Sequence, residues 1–302
     1  INKAIRTLIG QFNRSAYVGY TATPFANIFI AQDESDLFPR DFIINLPAPT
    51  NYIGPEKVFG TSMDVEDEED LLPIVVPISD YLTFIPEGHK KNDPKPTFTD
   101  IPESLKTAIK SFILTCAIRI ARGQENKHNS MLIHVSRYQL WQNEIKELVA
   151  QQFSYYKQEI EANDSSVLSE FQDLLENDYT ETTNNIKNSS LSNIDHCLQV
   201  HQWEDIKPLL FKVVQKIEVK SINGSSGDIV DYQLNSKNGV SVIAIGGDKL
   251  SRGLTLEGLS ISYFLRASKM YDTLMQMGRW FGYRPGYVDL CRLFTSAELS
   301  EW

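Results

Sequence analysis

The feature that most constrains this chain is the order of its apolar runs. Met131–Ser136 (MLIHVS) is apolar and of strand length, and it leads directly into a helical period through Trp141, Ile145, Leu148 and Phe153, reaching about Ala162. Strand-like runs follow at Phe211–Val219, Ile229–Leu234, Val240–Ile245, Leu259–Leu265 and Val288–Phe294, with a helix predicted between Tyr271 and about Phe281. A strand followed by a helix, and then by another strand, cannot close as a hairpin. It builds βα units, so the expectation is an α/β fold on a mostly parallel sheet.

Upstream, Ile101–Arg122 opens on Pro102 and Glu103 and spaces Leu105, Ile109, Phe112, Ile113, Cys116 and Ile120 at helical intervals, with Gly123 as the stop. Ala16–Tyr20 reads as a short strand ended by the Thr21–Pro24 loop. From Leu37 to Thr99 prolines recur so often that a long helix is excluded, which predicts a meandering accessory region with short strands. Residues 163–205 are polar, acidic and helical in pattern, interrupted at Thr182-Thr183-Asn184-Asn185, and read as an inserted bundle.

Charge excludes one simple class. The net charge of −10 is wrong for a surface uniformly coated to hold phosphates. The basic residues are instead clustered. Lys249, Arg252, Arg266, Lys269, Arg279, Arg284 and Arg292 face only Asp248, Glu257, Asp272 and Asp289 between Gly246 and Arg292. The acidity is concentrated in Asp64–Asp70 (DVEDEED), read as a solvated loop, and around Glu159–Asp205. Three cysteines, Cys116, Cys197 and Cys291, have no paired spacing and are expected to be reduced. No apolar run reaches membrane-spanning length, and the expected compartment is the cytoplasm.

Two strings carry the chemistry: VIAIGGDKLSRGLTLEG (Val242–Gly258) and YDTLMQMGRWFGYRPGY (Tyr271–Tyr287). In the first, a strand ends at Gly246-Gly247, where bare backbone amides can approach a phosphate, and Arg252-Gly253 follows on the loop. In the second, a helix presents Gln276 and Arg279, with Arg284 just beyond. A guanidinium keeps its charge and offers a planar fork of donors, which suits charge developing on a transferring phosphoryl group.

These strings resemble helicase motifs V and VI, Tyr20–Pro24 resembles the motif III loop and Ile133–Arg137 resembles motif IV, in the order that superfamily-two helicases use. Together, SMLIHVSR, GGDKLSRGLTLEG and QMGRWFGYRPGY resemble the bacterial Z-one domain family, whose members carry an endonuclease description and a link to restriction and phage defence. The resemblance implies a RecA-like parallel-sheet lobe at 101–302 with a helical insertion at about 151–210. It also implies a Pro-rich connection at 37–100 and the end of a first RecA-like lobe at 1–36. ATP and Mg²⁺ would sit between the lobes and DNA would cross them, with defence-system proteins as possible partners.

The same resemblance assigns roles residue by residue. Thr21 and Thr23 would couple the lobes beside the nucleic-acid path, which Ser136, Arg137, Lys249 and Arg252 would also line. Gly247, Asp248, Gly253, Thr255 and Gln276 would attend the nucleotide, and Arg279 or Arg284 would be the arginine finger. The family commonly carries threonine where this chain has Gly247 and often an acid where it has Thr255. The second motif VI arginine falls on Gly282, with Arg284 two positions later, which leaves the identity of the finger open.

No Gly-Lys-Ser or Gly-Lys-Thr string exists in the 302 residues. The chain opens without methionine just before the motif III-like loop and stops soon after the last strand. The expectation is therefore that a first lobe elsewhere in the polypeptide grips the phosphates, and that this chain alone does not hydrolyse ATP. Two other readings compete. Glu218-Val219-Lys220 has the Glu-x-Lys form of Mg²⁺-dependent nucleases, with Asp205 as a poorly placed second acid, and a degenerate fold could serve only as a DNA-binding or assembly module. His134 reads as a core histidine, and His196 with His201 lacks a completing metal ligand, so no metal site is expected.

Overall fold

A computed structural model describes residues 2–20, 38, 41–47, 49–60, 71–82, 84–86, 90, 98–222, 232–247, 256–265 and 282–300. Its centre is a six-stranded sheet in the order β1-β6-β5-β2-β4-β3. The strands are β1 (Val75–Pro77), β2 (Asn129–His134), β3 (Ile217–Ile222), β4 (Ser241–Gly246), β5 (Leu259–Phe264) and β6 (Arg292–Thr295). Every pairing is parallel. This is the α/β architecture of a RecA-like lobe.

The continuous apolar character of β2, β4 and β5 follows from burial on both faces. Met131, Ile133, Ile243, Ile245, Ile261 and Tyr263 point into the main core, whereas Leu132, Val242, Ala244 and Leu259 form a second cluster on the opposite face. Over the main core lie α3 (Glu103–Ala121), α4 (Gln139–Glu161) and α7 (Trp203–Lys216), with α3 packed on β5 and β6 and α4 on β3 and β4. The order of elements from α3 through β2, α4 and β4 to β5 matches the predicted alternation.

Helix α3 runs antiparallel to the strands. Near its start, Ser104 Oγ is 2.8 Å from the Tyr263 hydroxyl towards the carboxyl end of β5, and the Ser104 N–H donates to Asp80 Oδ2 at 2.9 Å. Near its end, Arg119 Nη1 donates to the His128 carbonyl and to Asn129 Oδ1, at the amino end of β2.

The Pro-rich region is built into the same lobe. Besides contributing β1, it places Ile53, Val58, Leu72, Ile74, Phe84 and Ile85 in the main core. Helix α1 (Asn2–Ile9) precedes it, and the short α2 (Pro55–Phe59) lies within it.

Several local expectations are corrected. Residues 211–216 are the end of α7, because Ile206, Leu210, Val213 and Val214 are buried at helical spacing within what reads as an apolar strand. Only Ile217–Ile222 is extended, and α7 continues through Pro208. Residues 232–238 form turns with Leu234 exposed, while 229–231 lie outside the described residues. Val288–Leu290 is a 3-10 turn, so the last strand starts only at Arg292. Residues 16–20 form no strand and are exposed.

The inserted segment contains α5 (Ser165–Leu174), a π turn at Leu175–Tyr179 and α6 (Thr180–Asn188). It does not break at Thr182-Thr183. Both side chains are buried, and the single Thr183 hydroxyl proton is shared between the Tyr179 carbonyl at 2.8 Å and Asp289 Oδ2 at 2.6 Å. Satisfying the hydroxyls in this way removes the usual penalty for polar β-branched residues inside a helix. The π turn brings Asp178 and Tyr179 onto Arg292, which bonds Asp178 at 2.6 Å and stacks 4.4 Å from the Tyr179 ring centroid.

Candidate functional site

In an open parallel sheet the loops leaving the carboxyl ends of central strands form the ligand crevice. Here the chain leaves β2 through Val135, Ser136 and Arg137 and enters α4 at its N-cap, Tyr138. The Ser136 hydroxyl accepts from the Tyr138 N–H at 3.1 Å, which shapes the turn. The Gln142 amide donates to the Ser136 carbonyl at 3.0 Å and holds the loop from below. Arg137 is thereby left exposed, with Nη2 donating to the Tyr138 hydroxyl at 2.7 Å and its guanidinium 4.9 Å from the Tyr138 ring centroid.

The neighbouring strand β4 ends at Gly246, and Gly247 lies directly against this loop. A Cβ on Gly247 would stand 2.5 Å from Gln142 Nε2 and 3.3 Å from Arg137 Cα. A side chain there would have to displace the Gln142 carboxamide and push the Arg137 backbone by a few tenths of an ångström, so glycine suits this close approach. Ser136, Arg137 and Gly247 are brought together on one edge. Asp248, Lys249, Arg252, Gly253, Thr255, Gln276, Arg279, Thr21 and Thr23 lie outside the described residues, as does the helix predicted at 271–281.

Arg284 is not on that edge. It sits just before β6, and a chain about to enter a parallel strand must be at the strand's amino end. Its neighbourhood agrees: the Pro285 carbonyl accepts from Gln124 at 3.1 Å, and the Gly286 carbonyl accepts from Arg122 at 3.0 Å. Both partners lie just past the end of α3. Gly282 bridges Ile53, and Tyr283 meets Tyr52 edge-on at 5.5 Å. Strands of six residues separate the two edges by about 20 Å.

Three arginines, Arg119, Arg122 and Arg284, gather at this amino edge. Arg119 is 3% exposed and lies 4.1 Å from the Tyr287 ring centroid, and burial lowers its pKa with Arg284 adding to the effect. Burial raises the Tyr287 pKa, and Arg284 opposes that shift. Beside them, Arg122 and Asp289 form a buried pair with bonds of 2.8 and 2.7 Å.

The nuclease constellation is not assembled. Glu218 is on the edge strand β3, 2.8 Å from Lys220, while Asp205 is in the first turn of α7, which ends just before that strand. The 14-residue helix puts roughly 20 Å between the acids. Among the described residues no three His, Cys, Asp or Glu side chains are grouped to hold a metal. His134 is 1% exposed and edge-on to Phe264 at 5.2 Å. Cys116 and Cys291 are buried thiols and Cys197 is an exposed one. No helix among the described residues is long and apolar enough to cross a membrane.

Sequence reasoning missed Gln142. The available signal was its register: Gln142, Ile145, Val149 and Phe153 share the buried face of α4, so a carboxamide stands at a core position. It also missed Asp289, whose burial no local pattern announces.

A parallel α/β lobe with glycine- and arginine-bearing loops on its carboxyl edge defines the class. The Z1 domain family model matches residues 104–302, and the chain belongs to that family. No curated protein and no solved structure matches it.

Proposed function

We propose that this chain supplies the motif IV to VI lobe of an ATP-dependent, superfamily-two helicase-like protein that acts on DNA in restriction or phage defence. The observation that carries this reading is the contact of the Ser136-Arg137 loop with Gly247 at the carboxyl ends of adjacent central strands. Motif IV-like and motif V-like residues, more than a hundred positions apart, converge where such sheets bind ligands.

In this reading the Gly247 backbone and the loop after it face the nucleotide, and Arg137 takes a phosphate of the nucleic acid. The described residues offer no grouped acids for Mg²⁺. We assign the ion and the triphosphate tail to a first lobe of the same polypeptide, because no Gly-Lys-Ser or Gly-Lys-Thr string occurs in the 302 residues. ATP bound there would supply the free energy for movement. The arginine finger is proposed to be Arg279, which matches the first motif VI arginine in QMGRWFGYRPGY.

The test is DNA-stimulated ATP turnover by the complete protein that contains this lobe. Arg279→Ala is expected to lower kcat by a factor on the order of a thousand. Undiminished turnover, or DNA cleavage abolished by Glu218→Ala without any ATP hydrolysis, would overturn the proposal in favour of the nuclease.

A further inference from the structure

Gln142 carries an anomaly that packing does not resolve. The side chain is 3% exposed, and its Nε2 is committed to the Ser136 carbonyl. Oε1 is buried and has no hydrogen-bond partner. A buried acceptor left unfilled is costly, and the single bond from Nε2 to the Ser136 carbonyl leaves that cost unexplained. The carboxamide lies between the Arg137 turn and Gly247, beneath the edge assigned above to ligand.

We infer that Gln142 Oε1 is a ligand-binding acceptor held open at the carboxyl edge, and that it takes a sugar hydroxyl of a bound nucleotide. The inference rests on the proposed ATP-dependent function. The chemistry selects the donor. Phosphate oxygens only accept at neutral pH and would repel Oε1, and a lone amide carbonyl does not supply the several oxygen ligands that a metal ion takes. Within a nucleotide, the sugar hydroxyls can fill it. Access requires the main chain at Gly247 to move aside.

Gln142→Met removes the unfilled acceptor at similar volume, but it also removes the Nε2 donor that holds the Ser136 carbonyl, so nucleotide discrimination, not thermal stability of the free protein, is the readout. Calorimetric titration of the complete protein should show ATP bound about 10-fold more weakly, the loss of one hydrogen bond. Wild type should lose a similar factor when 2′,3′-dideoxy-ATP replaces ATP, and the variant should bind both equally.

If the variant discriminates the two nucleotides as wild type does, the inference fails while the proposed function stands. If wild type binds ATP without discriminating them, the inference fails in the same way. If wild type binds no ATP, both fall. A Gln142→Met protein that melts lower and binds ATP normally would mark the residue as structural.

Discussion

Gly247 and Arg137 touch through their backbones: a Cβ on the glycine would lie 3.3 Å from the arginine Cα and 3.4 Å from its carbonyl oxygen. The contact joins the exits of β2 and β4 and leaves the arginine side chain facing solvent.

A methyl group at position 247 has nowhere to go. Gly247→Ala would press on Gln142 Nε2 at 2.5 Å, and both that amide and the Arg137 backbone are held in place. The expected loss is about 1–3 kcal/mol, typical of overpacking. Urea unfolding of Gly247→Ala, Gln142→Ala and the double variant checks the cause. The two costs should be less than additive by at least about 0.5 kcal/mol, because deleting the carboxamide makes room for the methyl.

The amino edge depends on one charge pair. Arg122 and Asp289 have side chains 4% and 0% exposed, and Asp289 also accepts from Thr183 of the inserted helix α6. Asp289→Ala leaves a buried guanidinium without its counter-charge and should cost about 3–5 kcal/mol. Equilibrium denaturation measures it. A loss below about 1 kcal/mol would mean that Arg122 finds water on losing its partner.

Acid should weaken the same region through His201. Burial lowers its pKa below 6.5, the Arg122 guanidinium lowers it further, and Asp205 and Asp289 oppose the shift only in part. The unfolded chain therefore takes up this proton at higher pH than the folded chain. Stability from the neutral ring is fully present above about 6.5 and is lost as pH falls through the folded value. The urea midpoint of wild type should drop between pH 7.5 and pH 5, by more than that of His201→Gln over the same interval.

The sequence made some of this legible for physical reasons. MLIHVS and VIAIGG are apolar without interruption because both faces of β2 and β4 are covered, so strand, position and parallel class could all be read. Edge elements gave less signal. β1 is three residues ending in a proline, recognisable only once β6 pairs with it. Phe211 and its neighbours look like a strand, and only the burial of Ile206, Leu210, Val213 and Val214 at helical spacing reveals α7. The site divided in the same manner. Ser136, Arg137 and Gly247 were found because their motifs end strands, whereas the separation of Arg284 from them follows from crossover topology, which no local string encodes. Gln142 was hidden because a polar residue near a helix start reads as solvent-facing until the fold turns it inward.

The most direct test of the account compares the two edges by the salt dependence of DNA affinity in the complete protein. Arg137→Ala at the carboxyl edge should weaken binding and reduce the slope of log affinity against log salt by about 1, the loss of one phosphate contact. Arg284→Ala at the amino edge should leave that slope unchanged. The opposite result, with the slope reduced by Arg284→Ala and untouched by Arg137→Ala, would contradict the assignment of function to the carboxyl edge.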